Sequence, residues 1–314
     1  MRRRTAGTWD PGDGPRYFLA HGGPTLVRVA EGPYAWDHLV AVNVIGKNGD
    51  KDRAALERLF DHRCNVLIDS GVFNLANAVA LGQGIPIERV LTMPPENLAG
   101  FDALLNTYRR IVGRYGPRSW GYIEIDQGGT DAKRRTRARL EAEGFAPIPV
   151  FHPLSDGWAY FDELCEGYDR VAFANLVQAG PGDRKRLMAT LWERRQRHPG
   201  VWVHALGLTP STLTLAYPVD SADSSSWVGA TRWGSFHAWA AGQRLWDTGR
   251  GWLYDQQPEE YVEDRGAKAG QVLGAYDAAL FGVVLRRMER DWREALGAEP
   301  WPSTHEGRPE GRPW

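Results

Sequence analysis

Acidic residues recur at the ends of short apolar runs in this chain. Asp69 follows the run 66–68, and Glu124 and Asp126 follow the run 121–123. Other polar side chains that end later runs are His152, Asn175, His204 and the pair Asp220 and Asp223. Two carboxylates beside a glycosidic bond can act as nucleophile and as proton donor, because attack on the anomeric carbon builds positive charge that a carboxylate stabilises. The pattern therefore predicts glycosyl chemistry.

Motifs for other kinds of chemistry are missing from the sequence. There is no Gly-x-Gly-x-x-Gly or Walker-type phosphate loop, and no His-Glu-x-x-His. The two cysteines, Cys64 and Cys165, are too few for a four-cysteine zinc cluster and are expected to be small buried hydrophobes. We predict neither a metal site nor a cofactor.

Alternating apolar runs and helical segments indicate the elements that position these residues. The predicted strands are 17–20, 40–45, 66–70, 122–126, 148–152, 171–175, 201–207 and 219–224, and the predicted helices are 53–62, 98–115, 131–144, 158–168 and 183–198. Eight repeated βα units predict an α/β fold, a (β/α)8 TIM barrel. The C-terminal ends of barrel strands meet at one mouth, so the acids are expected to converge there.

One barrel domain is predicted over residues 1–298. Residues 76–97 are expected to form an irregular insertion at the active face, because Gly82, Gly84, Pro86, Pro94 and Pro95 interrupt them. Residues 227–265 form a Trp-rich elaboration, whose tryptophans either pack on the barrel or stack on unpaired bases. A last helix is predicted over 266–296, and residues 299–314 are a Pro-rich tail.

The overall composition is that of an ordinary globular protein. Of the 314 residues 42% are hydrophobic, and the net charge is −1. No apolar run reaches the roughly 18 residues of a membrane span, and no signal-peptide segment follows the basic start, so we predict a cytoplasmic protein with no membrane partner. Arginines cluster at 133–139, 184–197 and 286–293, where they either form phosphate-facing stripes or mark solvated helix faces.

Several of these stretches together resemble a known family. Asp69-Ser70-Gly71-Val72-Phe73-Asn74 is similar to the Asp-Ser-Gly-Gly-Phe-Gln motif of the tRNA-guanine transglycosylases, β/α barrels that exchange a guanine in a polynucleotide for a 7-deazaguanine. The later stretches that resemble the family in order are Glu124-Ile125-Asp126, Val150-Phe151-His152, Val203-His204-Ala205-Leu206-Gly207, Asp220-Ser221-Ala222-Asp223-Ser224 and Thr231-Arg232. The resemblance covers about residues 66–235.

The resemblance implies a role for each matching residue. Asp223 is the implied nucleophile on the sugar C1′, with Asp220 as the alternative, and Asp69 handles the proton of the leaving and entering bases. The implied base-binding residues are Ser70, Phe73, Asp126, His152, Asn175 and Gly207, and Arg232 is the implied nucleic-acid contact. Glu124 is the alternative to Asp126. His152 either contacts the base or satisfies a buried carbonyl, and His204 is expected to lie in the core or behind the site.

The sequence also departs from the family motifs. Val72, Asn74, His152 and Asn175 replace residues of the base pocket, and no cysteine of the family's zinc site follows Cys165. In the missing zinc site and in the run Asp-Ser-Ser-Ser-Trp at 223–227, the chain resembles the compact zinc-less deazapurine DNA transglycosylases of viral and genomic-island type. DNA is therefore the expected substrate, with tRNA as the alternative, and a 7-deazaguanine precursor is the entering base. If a virus encodes the chain, the location is the host cytoplasm.

Two other functions fit the same residues. A retaining N-glycoside hydrolase shares the two acids but releases the base to water. A non-catalytic nucleic-acid-binding relative is suggested by the altered residues Val72, Asn74 and Asn175.

Overall fold

The architecture was analysed in a computed structural model. It describes residues 2–10, 16–21, 37–45, 50–208 and 219–225, with single positions at 26, 30, 47 and 217. The Trp-rich segment 227–265, the helix predicted over 266–296, the arginines at 286–293 and the tail 299–314 lie outside the described residues, as does Arg232.

Eight parallel strands form the centre of the molecule. They are β1 (Arg16–His21), β2 (Asp37–Ala41), β3 (Asn65–Asp69), β4 (Gly121–Tyr122), β5 (Val150–Phe151), β6 (Arg170–Phe173), β7 (Trp202–Ala205) and β8 (Ser221–Ser224). Their order in the sheet is β4-β3-β2-β1-β8-β7-β6-β5, so the first strand pairs with the last. All eight strands correspond to predicted ones.

The two outer strands of that order, β4 and β5, meet through a parallel bridge between Ile123 and Ile148. The Ile148 N–H donates to the Tyr122 carbonyl at 2.8 Å, and the Glu124 N–H donates to the Ile148 carbonyl at 3.0 Å. These bonds join the ends of the curled sheet, which confirms the predicted α/β fold of (β/α)8 barrel type.

Seven α-helices lie among the described residues. They are α1 (Asp50–Asp61), α2 (Val72–Gln83), α3 (Ile87–Leu91), α4 (Phe101–Tyr115), α5 (Thr130–Ala142), α6 (Trp158–Gly167) and α7 (Pro181–Arg195). Five of them match the predicted helices. Within this described part of the chain, none is long and apolar enough to cross a membrane.

The irregular insertion predicted over 76–97 is wrong, because most of it is helical. Gly82 lies in the last turn of α2, where an added Cβ would meet nothing, and such an exposed glycine costs a helix only about 1 kcal/mol relative to alanine. Gly84 ends α2 in the left-handed conformation (φ 64°), and Pro86 precedes α3. Pro95 starts a 3₁₀ turn. The glycines and prolines therefore mark the ends of short helices.

Alternation along the strands divides the core into two layers. The inner face fills the barrel with Phe18, Leu39, Leu67, Val150, Ala172 and Trp202, which belong to one buried cluster. The outer faces pack against the helices, as Val66 and Ile68 of β3 do. Because side chains of a strand point alternately to opposite faces, the inward register at Leu67 also directs Asp69 inward.

The N-terminal end of the barrel is closed by an aromatic floor, which consists of Trp9, Trp120 and Trp202. Their rings lie 5.6 to 6.4 Å apart. The buried guanidinium of Arg170 lies 4.6 Å from the Trp9 ring and 4.9 Å from the Trp120 ring, and it donates to the Trp120 carbonyl at 3.0 Å and the Ala6 carbonyl at 2.6 Å. This end is filled, so an active site is expected at the opposite end.

The basic run at 133–139 was interpreted either as a phosphate-facing stripe or as a solvated helix face. Two of its residues fit neither interpretation. Lys133 and Arg137, one turn apart on α5, are buried and form ion pairs with Asp156 and Glu124. Burying a charge is costly unless it is paired, so both residues serve the packing of α5 against the barrel.

Candidate active site

Three carboxylates converge at the C-terminal mouth of the barrel. Asp69 is the last residue of β3, Asp126 follows β4, and Asp223 lies in β8. The negative charges of Asp126 and Asp223 both raise the pKa of Asp69, which places each of them within electrostatic reach of Asp69. The predicted convergence of acids from distant parts of the sequence is therefore present.

Asp69 is the acid whose ionisation is most altered. Burial raises its pKa to about 7, and the two neighbouring carboxylates add to the rise. The Gly71 N–H opposes it by donating to Oδ2 at 2.9 Å. Gly71 has a φ of 77°, and an added Cβ would lie 2.8 Å from the Asn43 Cγ, so this turn requires glycine. Near neutral pH Asp69 can both donate and accept a proton.

The pKa of Asp126 is lowered, unlike that of Asp69, although burial alone would raise it. The hydrogen bond and the charge of His152 outweigh burial and hold that pKa below its ordinary value. His152 Nε2 lies 2.6 Å from Asp126 Oδ2, and the two side chains are 3% and 14% exposed. The backbone N–H of His152 donates to the Asp156 carboxylate at 2.8 Å. His152 thus pairs with a carboxylate, which neither of its predicted roles anticipated.

Asp223 is held through one of its two oxygens. Oδ1 lies 3.1 Å from His204 Nε2 and accepts a hydrogen bond from the Gly207 N–H, also at 3.1 Å. Among the described residues no donor to Oδ2 is present. Ser221, two positions earlier on β8, also faces inward, since it contacts Trp202 and His204 of β7.

Asp220 is not part of the mouth, which corrects its placement as alternative nucleophile. It precedes β8 at the end nearer the floor and accepts two hydrogen bonds from Arg195 of α7, at 2.8 and 2.9 Å. The Val203 N–H donates to it at 2.7 Å. Asp220 and Asp223 are three positions apart on an extended strand, so they face opposite sides of the sheet.

Glu124, the alternative to Asp126, also points away from the mouth. It is paired with Arg137 at 2.9 Å and accepts a hydrogen bond from the Val150 N–H at 2.6 Å. Burial raises its pKa to about 7, against the opposing effect of Arg137. Glu124 therefore attaches α5 to the barrel.

The remaining predicted base-binding residues lie in loops that follow the strands. Ser70 is buried beside the start of α2, whereas Phe73, in the first turn of α2, is 46% exposed. Asn175 adopts a left-handed conformation (φ 62°) after β6. At Gly207 an added Cβ would lie 2.8 Å from Val177, so a larger residue would displace that side chain.

Sequence reasoning missed Asn43. It lies in the turn after β2, which ends at Ala41, whereas a strand was predicted over 40–45. The Asn43 amide donates to the Gly71 carbonyl at 3.2 Å, and its oxygen accepts a hydrogen bond from Asn74 at 3.2 Å. A single polar residue inside the apolar run 39–45 was the only signal for it.

Cys64 and Cys165 are both buried, as predicted, and they form no disulfide bond with each other. Within the described ranges, no group of three or more histidine, cysteine, aspartate or glutamate side chains is arranged to hold a metal ion.

The fold and the site together define a β/α-barrel protein with three aspartates at the C-terminal ends of its strands. No protein-family model matches the sequence, and no curated protein is significantly similar to it.

Proposed function

We propose that this protein is a base-exchanging transglycosylase, which replaces a guanine in DNA with a 7-deazaguanine through a covalent aspartyl-sugar intermediate. One observation carries the proposal: Asp69 and Asp223 meet at the mouth in different environments. Burial raises the pKa of Asp69 to about 7, which suits it to proton transfer, whereas His204 and Gly207 hold Asp223 by one oxygen, which suits it to attack.

Asp223 is the nucleophile. Its carboxylate forms a bond to C1′ of the nucleotide as the bond from C1′ to the base nitrogen breaks. The electron pair of the broken bond stays with the departing base. The base takes up the proton that Asp69 carries and leaves as neutral guanine. In the second half the entering base attacks C1′, its proton passes to Asp69, and the bond from C1′ to Asp223 breaks. One glycosidic bond replaces another, and the reaction therefore needs neither a nucleotide energy source nor a redox cofactor.

Asp126 supplies the recognition of the base. His152 holds its carboxylate in the ionised form, which only accepts hydrogen bonds. The Watson–Crick edge of guanine offers an N–H and an amino group, whereas the corresponding nitrogen of adenine is an acceptor. A fixed carboxylate therefore favours guanine and 7-deazaguanine over adenine. Phe73, exposed beside the mouth, offers an aromatic face on which the base or a neighbouring base stacks.

The substrate strand has to present an unstacked nucleotide, because a base inside a duplex does not reach a barrel mouth. The preference for DNA over tRNA rests on the resemblance to the zinc-less branch. A guanine-containing single-stranded oligodeoxynucleotide is therefore the first substrate to test, with duplex DNA and tRNA beside it.

The decisive experiment combines labelled-guanine exchange with trapping of a covalent adduct on a denaturing gel. Wild-type protein is expected to incorporate the label into DNA and to form the adduct, and a 7-deazaguanine base is expected to chase the label out. Asp223→Asn is expected to abolish both. Asp220→Asn is the matched control, since it makes the same chemical change three residues away on the outer face.

Other results would replace the proposal. Release of guanine without incorporation would identify a hydrolase, and incorporation into tRNA alone would change the substrate. Binding of nucleic acid with neither adduct nor exchange, across all three substrates, would indicate the non-catalytic relative.

A further inference from the structure

A buried chain of hydrogen bonds leads from the floor of the barrel to Asp223. The Trp202 indole Nε1 donates to Ser221 Oγ at 2.7 Å, and Ser221 Oγ lies 2.8 Å from His204 Nδ1. His204 Nε2 lies 3.1 Å from Asp223 Oδ1. His204 is fully buried, and the Phe18 ring lies edge-on to it at 5.9 Å. The proposed function uses Asp223 but assigns no role to Trp202, Ser221 and His204, the other members of this hydrogen-bond chain.

The donors and acceptors at the two ends fix the direction of the chain. An indole N–H only donates and an ionised carboxylate only accepts. His204 Nε2 must therefore carry the proton that Asp223 accepts. Ser221 Oγ accepts from Trp202, and its own hydrogen then points to an unprotonated Nδ1. In a neutral Nε2–H imidazole every hydrogen of the chain has an acceptor, whereas in an imidazolium Nδ1 would also donate to Ser221, and the serine hydrogen would lose its acceptor.

We infer that His204, as the neutral Nε2–H tautomer, is the positioning residue of the nucleophile, and that it leaves Oδ2 of Asp223 as the oxygen that attacks the sugar. The inference deepens the proposed function and rests on it for the identity of the attacked carbon. The contact between His204 and Asp223 is present in the protein without substrate, so it does not depend on the proposed function.

The second donor to Oδ1 strengthens the assignment. The Gly207 N–H reaches the same oxygen at 3.1 Å, so two N–H groups share Oδ1. Hydrogen bonds to an oxygen reduce its tendency to attack, which directs the reaction to Oδ2. In the covalent intermediate Oδ1 is the carbonyl oxygen of an ester, and the same donors then stabilise the negative charge that returns to Asp223 when the bond between Oδ2 and C1′ breaks.

The tautomer is measurable without any substrate. In full-length protein labelled with ¹⁵N-histidine, the long-range proton–nitrogen NMR spectrum distinguishes protonated from unprotonated ring nitrogens. The His204 signals are assigned by their loss in His204→Gln. At neutral pH we expect a protonated Nε2 and an unprotonated Nδ1. An Nδ1–H tautomer or an imidazolium would overturn the inference.

Paired substitutions at His204 test its effect on the reaction. Glutamine supplies an N–H donor toward Asp223, whereas leucine supplies none. We expect His204→Leu to slow adduct formation by about 100- to 1,000-fold, as loss of one preorganised donor does. His204→Gln should remain within about tenfold of wild type, because its amide N–H can still donate to Asp223 and one hydrogen bond of altered geometry is worth about that factor. A rate for His204→Leu equal to that of wild type would overturn the inference.

A matched control and a milder variant separate positioning from folding. His198 makes a similar contact to Asp162, also 3.1 Å long, on the outer side of the barrel. His198→Gln should therefore leave adduct formation unchanged. If His204→Leu does not fold, Ser221→Ala replaces it: Asp223 still requires a protonated Nε2, but Nδ1 loses the serine hydrogen, so a shifted Nδ1 nitrogen signal and slower adduct formation are expected. Wild-type behaviour of Ser221→Ala in both measurements would contradict the directed chain.

Failure of the inference differs from failure of the proposed function. A wild-type protein that exchanges bases while His204→Leu does so equally well refutes the role of His204 alone. A wild-type protein that forms no adduct and exchanges no base refutes the function and the assigned attack by Oδ2, whereas the NMR spectrum still decides whether His204 holds Asp223.

Discussion

The two ends of the barrel treat buried charge in opposite ways. At the floor one cation, Arg170, is surrounded by acceptors and two aromatic faces. At the mouth the carboxylates of Asp126 and Asp223 both lie within electrostatic reach of Asp69 and raise its pKa. A compensated charge stabilises a fold, whereas like charges held together cost stability and are retained where chemistry needs them. The comparison assigns structure to the floor and function to the mouth.

The largest expected effect separates Asp223 from its outward-facing neighbour. Asp223→Asn removes the attacking group and should lower the exchange rate by about 10⁴-fold, as removal of a nucleophile or its partners does in other enzymes. Asp220→Asn should lower the melting temperature, because it weakens the two hydrogen bonds from Arg195. It should leave exchange by the folded protein intact. Equal losses of activity in both variants would contradict the division between the two faces of β8.

At the floor, Arg170→Met should affect stability and not activity. The substitution leaves the carbonyls of Ala6 and Trp120 without their donor, and each buried acceptor left unsatisfied costs about 1–3 kcal/mol of unfolding free energy. Denaturant unfolding gives this value, and exchange by the folded fraction should not change. Loss of activity at unchanged stability would show that the floor takes part in the chemistry.

At the mouth, Asp69→Asn should stabilise the protein while impairing exchange. The pKa of Asp69 is about 7 in the native state and about 4 in an unfolded chain, so wild-type stability falls as pH rises from about 4 to 7. Asparagine does not titrate, so the variant should gain about 4 kcal/mol relative to wild type above pH 7, from about three pKa units at 1.36 kcal/mol each, and little near pH 4. Unfolding free energies measured from pH 4 to 9 test this, and a constant difference would contradict the raised pKa.

The smallest expected effect concerns the pair of His152 and Asp126. His152→Gln keeps an N–H donor but loses the positive charge that lowers the pKa of Asp126. Affinity for the free base should fall about tenfold, equivalent to 1.4 kcal/mol, with little change in the rate of the bound complex. Titration of the base by calorimetry measures the affinity, and an unchanged value would remove Asp126 from base recognition.

The sequence predicted the strands well because each is a short apolar run that ends in a polar residue, and buried parallel strands require such runs. It misplaced β2, since the apolar run continues through Val42, Val44 and Ile45 into the turn, where burial outside the sheet keeps them apolar. It misjudged 76–97 because glycine and proline end helices as readily as they prevent them.

The site was predictable in part. The alternation of a strand implies that only one of Asp220 and Asp223 faces inward, but the choice between them depends on the register of β8 against β7 and on Arg195, which approaches from α7. Glu124 and Asp126 are two positions apart, so alternation would place both on one face; their separation depends on the backbone after β4, which ends at Tyr122, and on Arg137, which approaches from α5. The contact of His204 with Asp223 joins two strands, and no local pattern in the sequence marks such a contact.

The pairing of β1 with β8 has a consequence for how the molecule forms. Phe18 lies beside Asp223 in this register. Closure of the barrel therefore needs two strands that are about 200 residues apart in the sequence. On a ribosome the earlier strands emerge first, and the strand that carries Asp223 is the last of the eight. Contacts of such long sequence separation form late in folding, so Asp223 reaches the mouth only with the step that closes the barrel, and partly folded chains do not hold the proposed site.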